Sequence, residues 1–220
     1  MTFNDQSWNN WCFGHGRRTI YKLAAATQDL NPIGIVRHEK KAKEVLGDDV
    51  QLLSGDIFAM TDSLLSRFDV IVDAFGTNPA DADRHLKLAE KLVNLARKNK
   101  IRLIFILGTG SLQTGEDEHL FVDDLEKIPA SSSWINTPRQ QLKELQYLET
   151  ITDVDWVGIS PAATFEPGPA ASYQLGKDTL LYNGQGESKV TTGTMAEVIV
   201  KEILVPQFHQ GRFTVVNTGK

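Results

Sequence analysis

The chain has 220 residues, of which 41% are hydrophobic and 23% are charged, a composition typical of a globular domain with a substantial core. A formal net charge of −5 argues against a broad nucleic-acid surface, and a single cysteine excludes an internal disulfide or a cysteine-rich zinc site. No apolar stretch reaches the roughly 18 residues of a membrane span, and the first residues lack the basic and apolar regions of a signal peptide. We therefore expect a cytoplasmic protein that binds neither nucleic acid nor membrane.

From about residue 19, short β-branched runs alternate with longer amphipathic runs. This alternation is typical of strands joined by helices in a mostly parallel sheet. In the first half it predicts a helix end at 20–27, a strand at 33–36, a helix at 39–46, a strand at 50–53, a helical turn at 62–68, a strand at 69–74 and a helix at 79–99.

The second half is less regular. It predicts a strand at 103–107, an acidic loop at 114–124, a helix at 138–148, a strand at 156–159, a loop at 161–169, a hairpin strand at 180–182 with a turn at 183–184, a helix at 192–204 capped by Thr191 or Thr192, and a strand at 213–216. Since no repeat or low-complexity linker interrupts the pattern, we expect one domain over residues 1–220.

The first strand of a doubly wound sheet normally runs into a glycine-rich turn, whose N–H groups and following helix end hold a pyrophosphate. Residues 1–18 contain no such strand, although the helix follows on schedule. Gly14 and Gly16 form a weak phosphate-loop pattern in this segment and are candidate cofactor-binding residues.

The composition of this segment is unusual, because it holds two of the four tryptophans and the only cysteine. Tryptophan has the single codon TGG, so reading the gene one base later forces glycine where Trp8 meets Asn9 and again where Trp11 meets Cys12. One allowed codon choice reads Met-Ile-Lys-Val-Gly-Ile-Ile-Gly-Ala-Ser-Gly-Met-Ala-Gly, an apolar strand and a glycine loop.

We therefore hypothesise that residues 1–18 are a frameshifted first strand and glycine loop. The alternative is a natural polar tail. Gene sequencing separates the two, because codons for Asn9 and Asn10 that end in C give threonine in the shifted frame and contradict the hypothesis.

Arg37 follows the predicted strand at 33–36, which corresponds to the second strand of a doubly wound sheet, at the position where an Asp or Glu would meet the ribose 2′-hydroxyl of NAD. A guanidinium at this position suits the 2′-phosphate of NADP instead. The sequence therefore predicts that NADP(H) is preferred over NAD(H). The alternative is that Arg37 belongs to a solvated helix start.

Small or polar residues follow the later strands as well. Asp56 comes after the predicted strand at 50–53, Ala74 and Phe75 lie at the end of the strand at 69–74, and the run from Gly108 through Thr109 and Gly110 to Ser111 follows the strand at 103–107. Because ligands of open α/β sheets bind along the carboxyl edge, these positions together favour a dinucleotide crevice.

The chain resembles the NmrA-like group of atypical short-chain dehydrogenase/reductase proteins, specifically those described as NADH-flavin reductase-like. The likeness covers residues 19–217 and is carried by residues 34–37, 54–56, 105–112, 156–165, 168–173, 176–181 and 191–196. It departs over residues 1–18, where the family has its glycine-rich turn.

This resemblance implies a doubly wound, Rossmann-like α/β sheet with helices on both faces and a small C-terminal substrate lobe at about 161–190. It places Arg37 at the adenosine, the loop from Gly108 at the nicotinamide ribose, and Ser160, Pro161 and Ala162 at the nicotinamide. It further implies reduction of a small-molecule acceptor such as a flavin or quinone, by a monomer or homodimer.

The catalytic chemistry is less defined. Tyr173 and Lys177 match the Tyr-x-x-x-Lys pattern of the wider superfamily, but they follow the predicted strand at 156–159 instead of preceding it, which argues against a catalytic pair. Ser111 is a weak catalytic candidate, and the five histidines show no zinc spacing. Two functions remain open: an NADPH-dependent reductase, or an NADP(H)-sensing regulatory protein without turnover.

Overall fold

The computed structural model describes the backbone of residues 13–219 and the side chains of residues 17–219. Helices in this part of the chain are α1 (Phe13–Ala25), α2 (Glu39–Leu46), α3 (Asp62–Leu65), α4 (Arg84–Asn99), α5 (Phe121–Lys127), α6 (Asn136–Glu149) and α7 (Thr192–Leu204). Strands are β1 (Gly34–Val36), β2 (Leu52–Ser54), β3 (Val70–Asp73), β4 (Arg102–Ile106), β5 (Gln113–Thr114), β6 (His119–Leu120), β7 (Trp156–Pro161), β8 (Thr164–Glu166), β9 (Tyr173–Gly176), β10 (Lys189–Thr191) and β11 (Gly211–Asn217). None of the described helices is long and apolar enough to cross a membrane.

A mostly parallel sheet forms the centre of the molecule. Among the described strands its order is β3-β4-β7-β11-β9, and only β9 runs antiparallel to its neighbour. β1 and β2 pair in parallel in a separate sheet, with Gly34 opposite Leu52 and Val36 opposite Ser54. The predicted α/β class with a mostly parallel sheet is confirmed.

Helices cover both faces of the sheet, because buried parallel strands place alternate side chains on opposite faces. Val36 of β1 and Val72 of β3 belong to the core that packs under α1 and α7. Ile35 and Ile71, one position earlier on the same strands, belong to the core under α4 and α6. β1 and β3 therefore contribute to the same two layers, although they belong to different sheets.

The start of α7 follows its prediction. Thr191 is extended, with φ −91° and ψ 157°, and its side-chain oxygen accepts a hydrogen bond from the Thr194 N–H. This bond satisfies one of the N–H groups that a helix start leaves without an intrahelical partner. Of the two predicted caps, Thr191 is the one that the structure uses.

The strand predicted at 180–182 is wrong, because these residues form no strand and Tyr173–Gly176 pairs with β11 instead. The Asn183 side chain accepts hydrogen bonds from the N–H groups of Gln185 and Glu187, which closes a local turn without a hairpin ladder. The loop predicted at 114–124 contains β6 and the start of α5, and the helix predicted from 79 begins as a 3-10 turn at Pro79–Asp81.

Candidate functional site

The predicted cofactor segments lie along one edge of the molecule. β3, β4 and β7 run parallel as neighbours, so the residues that follow them share this edge. Asp56, which follows β2, forms an ion pair of 3.0 Å with Arg84 at the start of α4. The rings of Phe58 and Phe75 meet edge to face with centroids 5.9 Å apart, so the segments that follow β2 and β3 are in contact.

Arg37 and Asp56 occupy the part of this edge formed by β1 and β2. Arg37 directly follows β1 and is partly exposed. Asp56 accepts a hydrogen bond of 3.0 Å from the Phe58 N–H, and its partner Arg84 lies 4.4 Å from the Phe58 ring centroid. The Asp56 carboxylate therefore positions the start of α4, a role that the sequence did not suggest.

Ala74 and Phe75 form a buried wall after β3, with 2% and 3% of their surfaces exposed. The Phe75 N–H donates a hydrogen bond of 2.8 Å to Asp73 Oδ1, and the Phe75 ring lies 5.1 Å from the His85 ring. The Asp73 side chain thus holds the backbone at the end of β3 through a local hydrogen bond.

The loop after β4 packs directly against α6. A Cβ atom on Gly108 would lie 2.6 Å from Oε1 of Gln141, so a side chain at this position would displace the helix side chain. Thr109 Oγ1 donates to the carbonyl oxygens of Pro161 and Ala162, each at 3.1 Å. These contacts join the two segments that were predicted to hold the nicotinamide end of a cofactor.

The hydroxyl groups of Ser111 and Ser160 hold this loop in place through hydrogen bonds. Both hydroxyls donate to the Gly108 carbonyl oxygen, at 2.9 and 3.2 Å. The Arg212 guanidinium donates to both hydroxyl oxygens and forms an ion pair of 2.9 Å with Asp178. Ser111 is only 3% exposed, so the structure places this catalytic candidate as a buried anchor of the loop. Sequence reasoning missed Arg212 entirely.

A buried acidic cluster lies beside the same loop. Asp73, His85 and Glu144 are 4%, 2% and 2% exposed. Burial raises the pKa of the Asp73 carboxyl to about 7, and it raises the pKa of Glu144 well above its usual range, with a further contribution from the Asp73 charge. Burial lowers the pKa of His85 to about 4, and the positive charge of Arg17 adds to this effect.

The contact of 3.8 Å between His85 Nδ1 and Glu144 Oε2 is therefore a contact between neutral groups at neutral pH, not an ion pair. Asp73 Oδ2, His85 Nε2, Gln141 Nε2 and Glu144 Oε2 are buried without a hydrogen-bond partner in the described structure. A cluster of this kind holds at least one proton at pH 7. Its unpaired buried polar atoms lower the stability of the folded protein.

The sequence contained a signal for this cluster. Asp73 closes an otherwise apolar strand, and Gln141 and Glu144 occupy the face of α6 that also carries the buried Leu145 and Leu148. Polar side chains at core-facing positions are uncommon and point to a special environment.

Two other sets of predicted residues lie elsewhere. Gly14 and Gly16 fall in the first turn of α1, not in a loop, and residues 1–12 with the hypothetical frameshifted strand are outside the described residues. Tyr173 lies on β9, where Lys201 Nζ donates to its hydroxyl at 3.1 Å. The Lys177 side chain is 86% exposed and contacts Asp178, so the structure gives no support to a Tyr173–Lys177 pair.

Comparison with known proteins decides the family. The family described as NAD(P)H-binding matches residues 14–206. The chain belongs to this NAD(P)H-binding family. The protein YwnB of Bacillus subtilis, which is uncharacterised, is 31% identical over 189 residues, covering 84% of this chain and 86% of YwnB.

Solved structures agree with this membership. A crystal structure of a Lactobacillus casei protein has a TM-score of 0.85 at 32% identity and covers 93% of this chain and 95% of its own. A candidate NADH-flavin reductase from Streptococcus pneumoniae has a TM-score of 0.81 at 23% identity, covers 99% of both chains and shows a shared fold. The predicted resemblance to NAD(P)-binding proteins is thus confirmed, and a small-molecule ligand follows from membership of the NAD(P)H-binding family.

Proposed function

We propose that this NAD(P)H-binding protein is an NADPH-preferring oxidoreductase that transfers a hydride to a small planar acceptor such as a flavin or quinone. The observation that carries the NADPH preference is the basic side chain of Arg37 directly after β1. A carboxylate at this place would repel a 2′-phosphate, whereas a guanidinium pairs with it through two parallel hydrogen bonds.

In this proposal the two ends of the cofactor meet different described residues. Arg37 holds the adenosine phosphate, and the buried Ala74 and Phe75 lie at the adenine-ribose region. The loop from Gly108 to Ser111, joined through Thr109 to Pro161 and Ala162, holds the nicotinamide half. NADPH bound there would supply a hydride, and reduction of a quinone to a quinol would take up one further proton from solvent.

We assign the acceptor to the region of residues 161–190, the proposed substrate lobe. Phe165 lies in this region, and we propose that it and the partly exposed Trp134, which precedes α6, supply aromatic contacts to a planar ring. Hydride transfer between two such rings depends mainly on their orientation, so it requires little acid catalysis from the protein.

The test is consumption of NADPH, followed at its absorbance maximum, with a panel of free flavins and quinones. We expect turnover with at least one acceptor and slower turnover with NADH. Micromolar binding of NADPH without consumption for any acceptor would contradict the reductase proposal.

That result would support the second candidate, a protein that binds NADP(H) and signals through a partner without turnover. The observation that favours it concerns α6, the helix before β7. Its buried positions near the cofactor edge carry Gln141 and Glu144, and its Lys143 is exposed. The described part of α6 thus offers no Tyr-x-x-x-Lys pair to an acceptor.

A further inference from the structure

The loop that follows β4 is joined to the proposed substrate lobe at two places. Thr109 Oγ1 makes the first contact, by donating to the carbonyl oxygens of Pro161 and Ala162. The Arg212 guanidinium makes the second, because it binds Asp178 of the lobe as well as the loop. The loop and the lobe are therefore connected through two independent sets of contacts.

The segment that carries Asp178 is itself tied to β5, the strand after the loop. The Gln113 N–H donates to the Asp178 carbonyl oxygen at 2.8 Å, and the Leu180 N–H donates to the Gln113 carbonyl oxygen at 2.8 Å. Gln113 and Thr179 thus form a parallel bridge. Because these backbone bonds limit the movement of Asp178 relative to the loop, Arg212 has a fixed anchor in the lobe.

Arg212 sets the direction of the hydrogen bonds at two serines. Ser111 and Ser160 both donate to the Gly108 carbonyl oxygen, at 2.9 and 3.2 Å. A hydroxyl group has one hydrogen to donate, and a guanidinium has donors only. Because Arg212 Nη1 donates to both hydroxyl oxygens, at 3.3 and 3.4 Å, each hydroxyl keeps its own hydrogen for the carbonyl. Arg212 thus fixes the orientation of the Gly108 carbonyl through the two serines.

The orientation of this carbonyl also sets the other edge of the same peptide unit, which carries the Thr109 N–H. The described peptide bonds are all trans, so the N–H points opposite to the carbonyl. The carbonyl faces Ser111 and Ser160, which are 3% and 0% exposed. The edge with the N–H therefore faces away from these buried serines.

Arg212 is buried, and its described hydrogen bonds all lie in this region. Its side chain is 5% exposed. Nε and Nη2 donate to Asp178 Oδ1, at 3.1 and 2.9 Å, and Nη2 also donates to the Ser111 carbonyl oxygen at 3.4 Å. Burial of a guanidinium carries a desolvation cost that only well-placed partners offset. Because the partners lie on the loop, on β7 and in the lobe, Arg212 holds these three segments in one arrangement.

We propose that Arg212 is a positioning residue for the nicotinamide half of the cofactor, acting through Ser111, Ser160 and the Gly108 carbonyl. This inference rests on the proposed placement of the nicotinamide at the loop after β4. Arg212 lies behind the loop, so it acts on the cofactor by fixing the peptide edge that the nicotinamide half meets. Since Asp178 belongs to the lobe, the same contacts set the nicotinamide relative to the acceptor. The adenosine half meets other residues and does not depend on Arg212.

The experiment compares two ligands that share only the adenosine half. NADPH carries both halves, whereas adenosine 2′,5′-bisphosphate has the adenosine and its 2′-phosphate but no nicotinamide. Isothermal titration calorimetry on the full chain measures the affinity for each. Arg212→Leu is expected to weaken NADPH binding about ten-fold, because the loop loses hydrogen bonds from a charged group. It is expected to leave the affinity for the bisphosphate unchanged.

Two further variants test the path from Arg212 to the loop. Arg212→Lys keeps a cation with three donors but not the planar fork, so we expect it to recover part of the NADPH affinity. Ser160→Ala breaks the same path one step later with a smaller change in the core, and we expect the same selective loss of NADPH affinity.

The matched control is Arg102→Leu, which also removes a buried arginine from a strand. Arg102 begins β4 and pairs with Glu202 at 2.6 Å and with Asp155 at 2.7 Å, away from the loop that follows β4. We expect its removal to lower stability without changing the ratio of the two affinities. Circular dichroism and a thermal melt establish the temperature at which each variant is folded.

Equal losses for both ligands in Arg212→Leu, or no loss for NADPH, would overturn the proposal. A selective loss of the same size in Arg102→Leu would also overturn it, since the removal of any buried arginine would then explain the result. A chain that binds neither ligand overturns it as well. Calorimetry requires no turnover, so a chain that binds NADPH and reduces no acceptor contradicts the reductase proposal and not this one.

Discussion

At the scale of single residues, Arg37 carries the cofactor preference, and its replacement tests it. Arg37→Asp is expected to weaken NADPH binding by about 1.5 to 3 kcal/mol, the usual value of a hydrogen bond to a charged group, with a smaller loss for NADH. Fluorescence titration with both cofactors measures the difference. Lys40→Asp on the exposed face of α2 makes the same charge change and should affect both cofactors little. Equal losses for both cofactors in Arg37→Asp would show that Arg37 does not meet the 2′-phosphate.

Asp73 predicts a pH dependence of stability. Its pKa is raised from an ordinary value of 3.8 to about 7 in the folded protein, so the folded state keeps a proton that the unfolded state loses. The contribution of Asp73 to the free energy of unfolding is therefore fully present below about pH 4 and is lost as pH rises through 7. The variant Asp73→Asn has no carboxyl group to titrate, so it should not lose this stability. The free energy of unfolding of the variant, relative to that of the original chain, should therefore increase between pH 4 and pH 8, on the order of 4 kcal/mol.

Urea unfolding at several pH values measures this change. Asp153→Asn provides a control of opposite sign. The hydrogen bond from Arg97 lowers the pKa of Asp153, so the stability that Asp153 contributes is lost as pH falls, whereas that of Asp73 is lost as pH rises. A stability difference for Asp73→Asn that does not vary with pH would contradict the assigned proton.

Some of these residues could be predicted from the sequence and others could not. Arg37 and Gly108 were singled out because they follow strands, and strand ends are set by local hydrophobic pattern. The roles of Arg212 and Ser111 could not be predicted from the sequence, since they depend on a contact between residues 101 positions apart in the chain. Asp56 was placed at the correct edge, but its pairing with Arg84 depends on how β2 and α4 pack.

At the scale of elements, the long amphipathic helices and the apolar strands followed the predicted pattern, because their cores are read directly from period 3.6 or from continuous apolar runs. The short strands β8, β9 and β10 did not. They lie in a segment rich in proline and glycine, where pairing with β11 and between distant strands decides the structure, not local propensity.

The clamp that joins β11, β7 and the loop after β4 gives a prediction at this scale. Arg212→Leu removes the hydrogen bonds to Ser111 and Ser160 and the pair with Asp178, and we expect a loss of about 1 to 3 kcal/mol in the free energy of unfolding. The Asp178 side chain is 41% exposed, so water replaces part of its interaction.

Arg139→Leu is the matched control, since it breaks an exposed pair with Glu126 and should cost less than about 1 kcal/mol. Urea unfolding compares the two variants. A smaller loss for Arg212→Leu than for Arg139→Leu would show that the buried clamp does not hold the loop.

At the scale of the whole molecule, the described residues form an NAD(P)H-binding fold in which β1 and β2 pair in a sheet separate from the sheet of β3, β4, β7, β11 and β9. β1 and β3 share two continuous cores, which explains how residues 13–219 adopt the family's architecture. The frame hypothesis rests on the unusual composition of residues 1–18, the part of the sequence where a glycine turn would approach a pyrophosphate.

The measurement that tests the account most directly is cofactor affinity of this chain beside a version in which the shifted frame restores the glycine loop. We predict that both bind NADPH in preference to NADH, and that the restored chain binds NADPH at least about ten-fold more tightly, or about 1.4 kcal/mol. A restored chain that binds NADPH no better than the original, or that binds NADH equally well, would contradict the account.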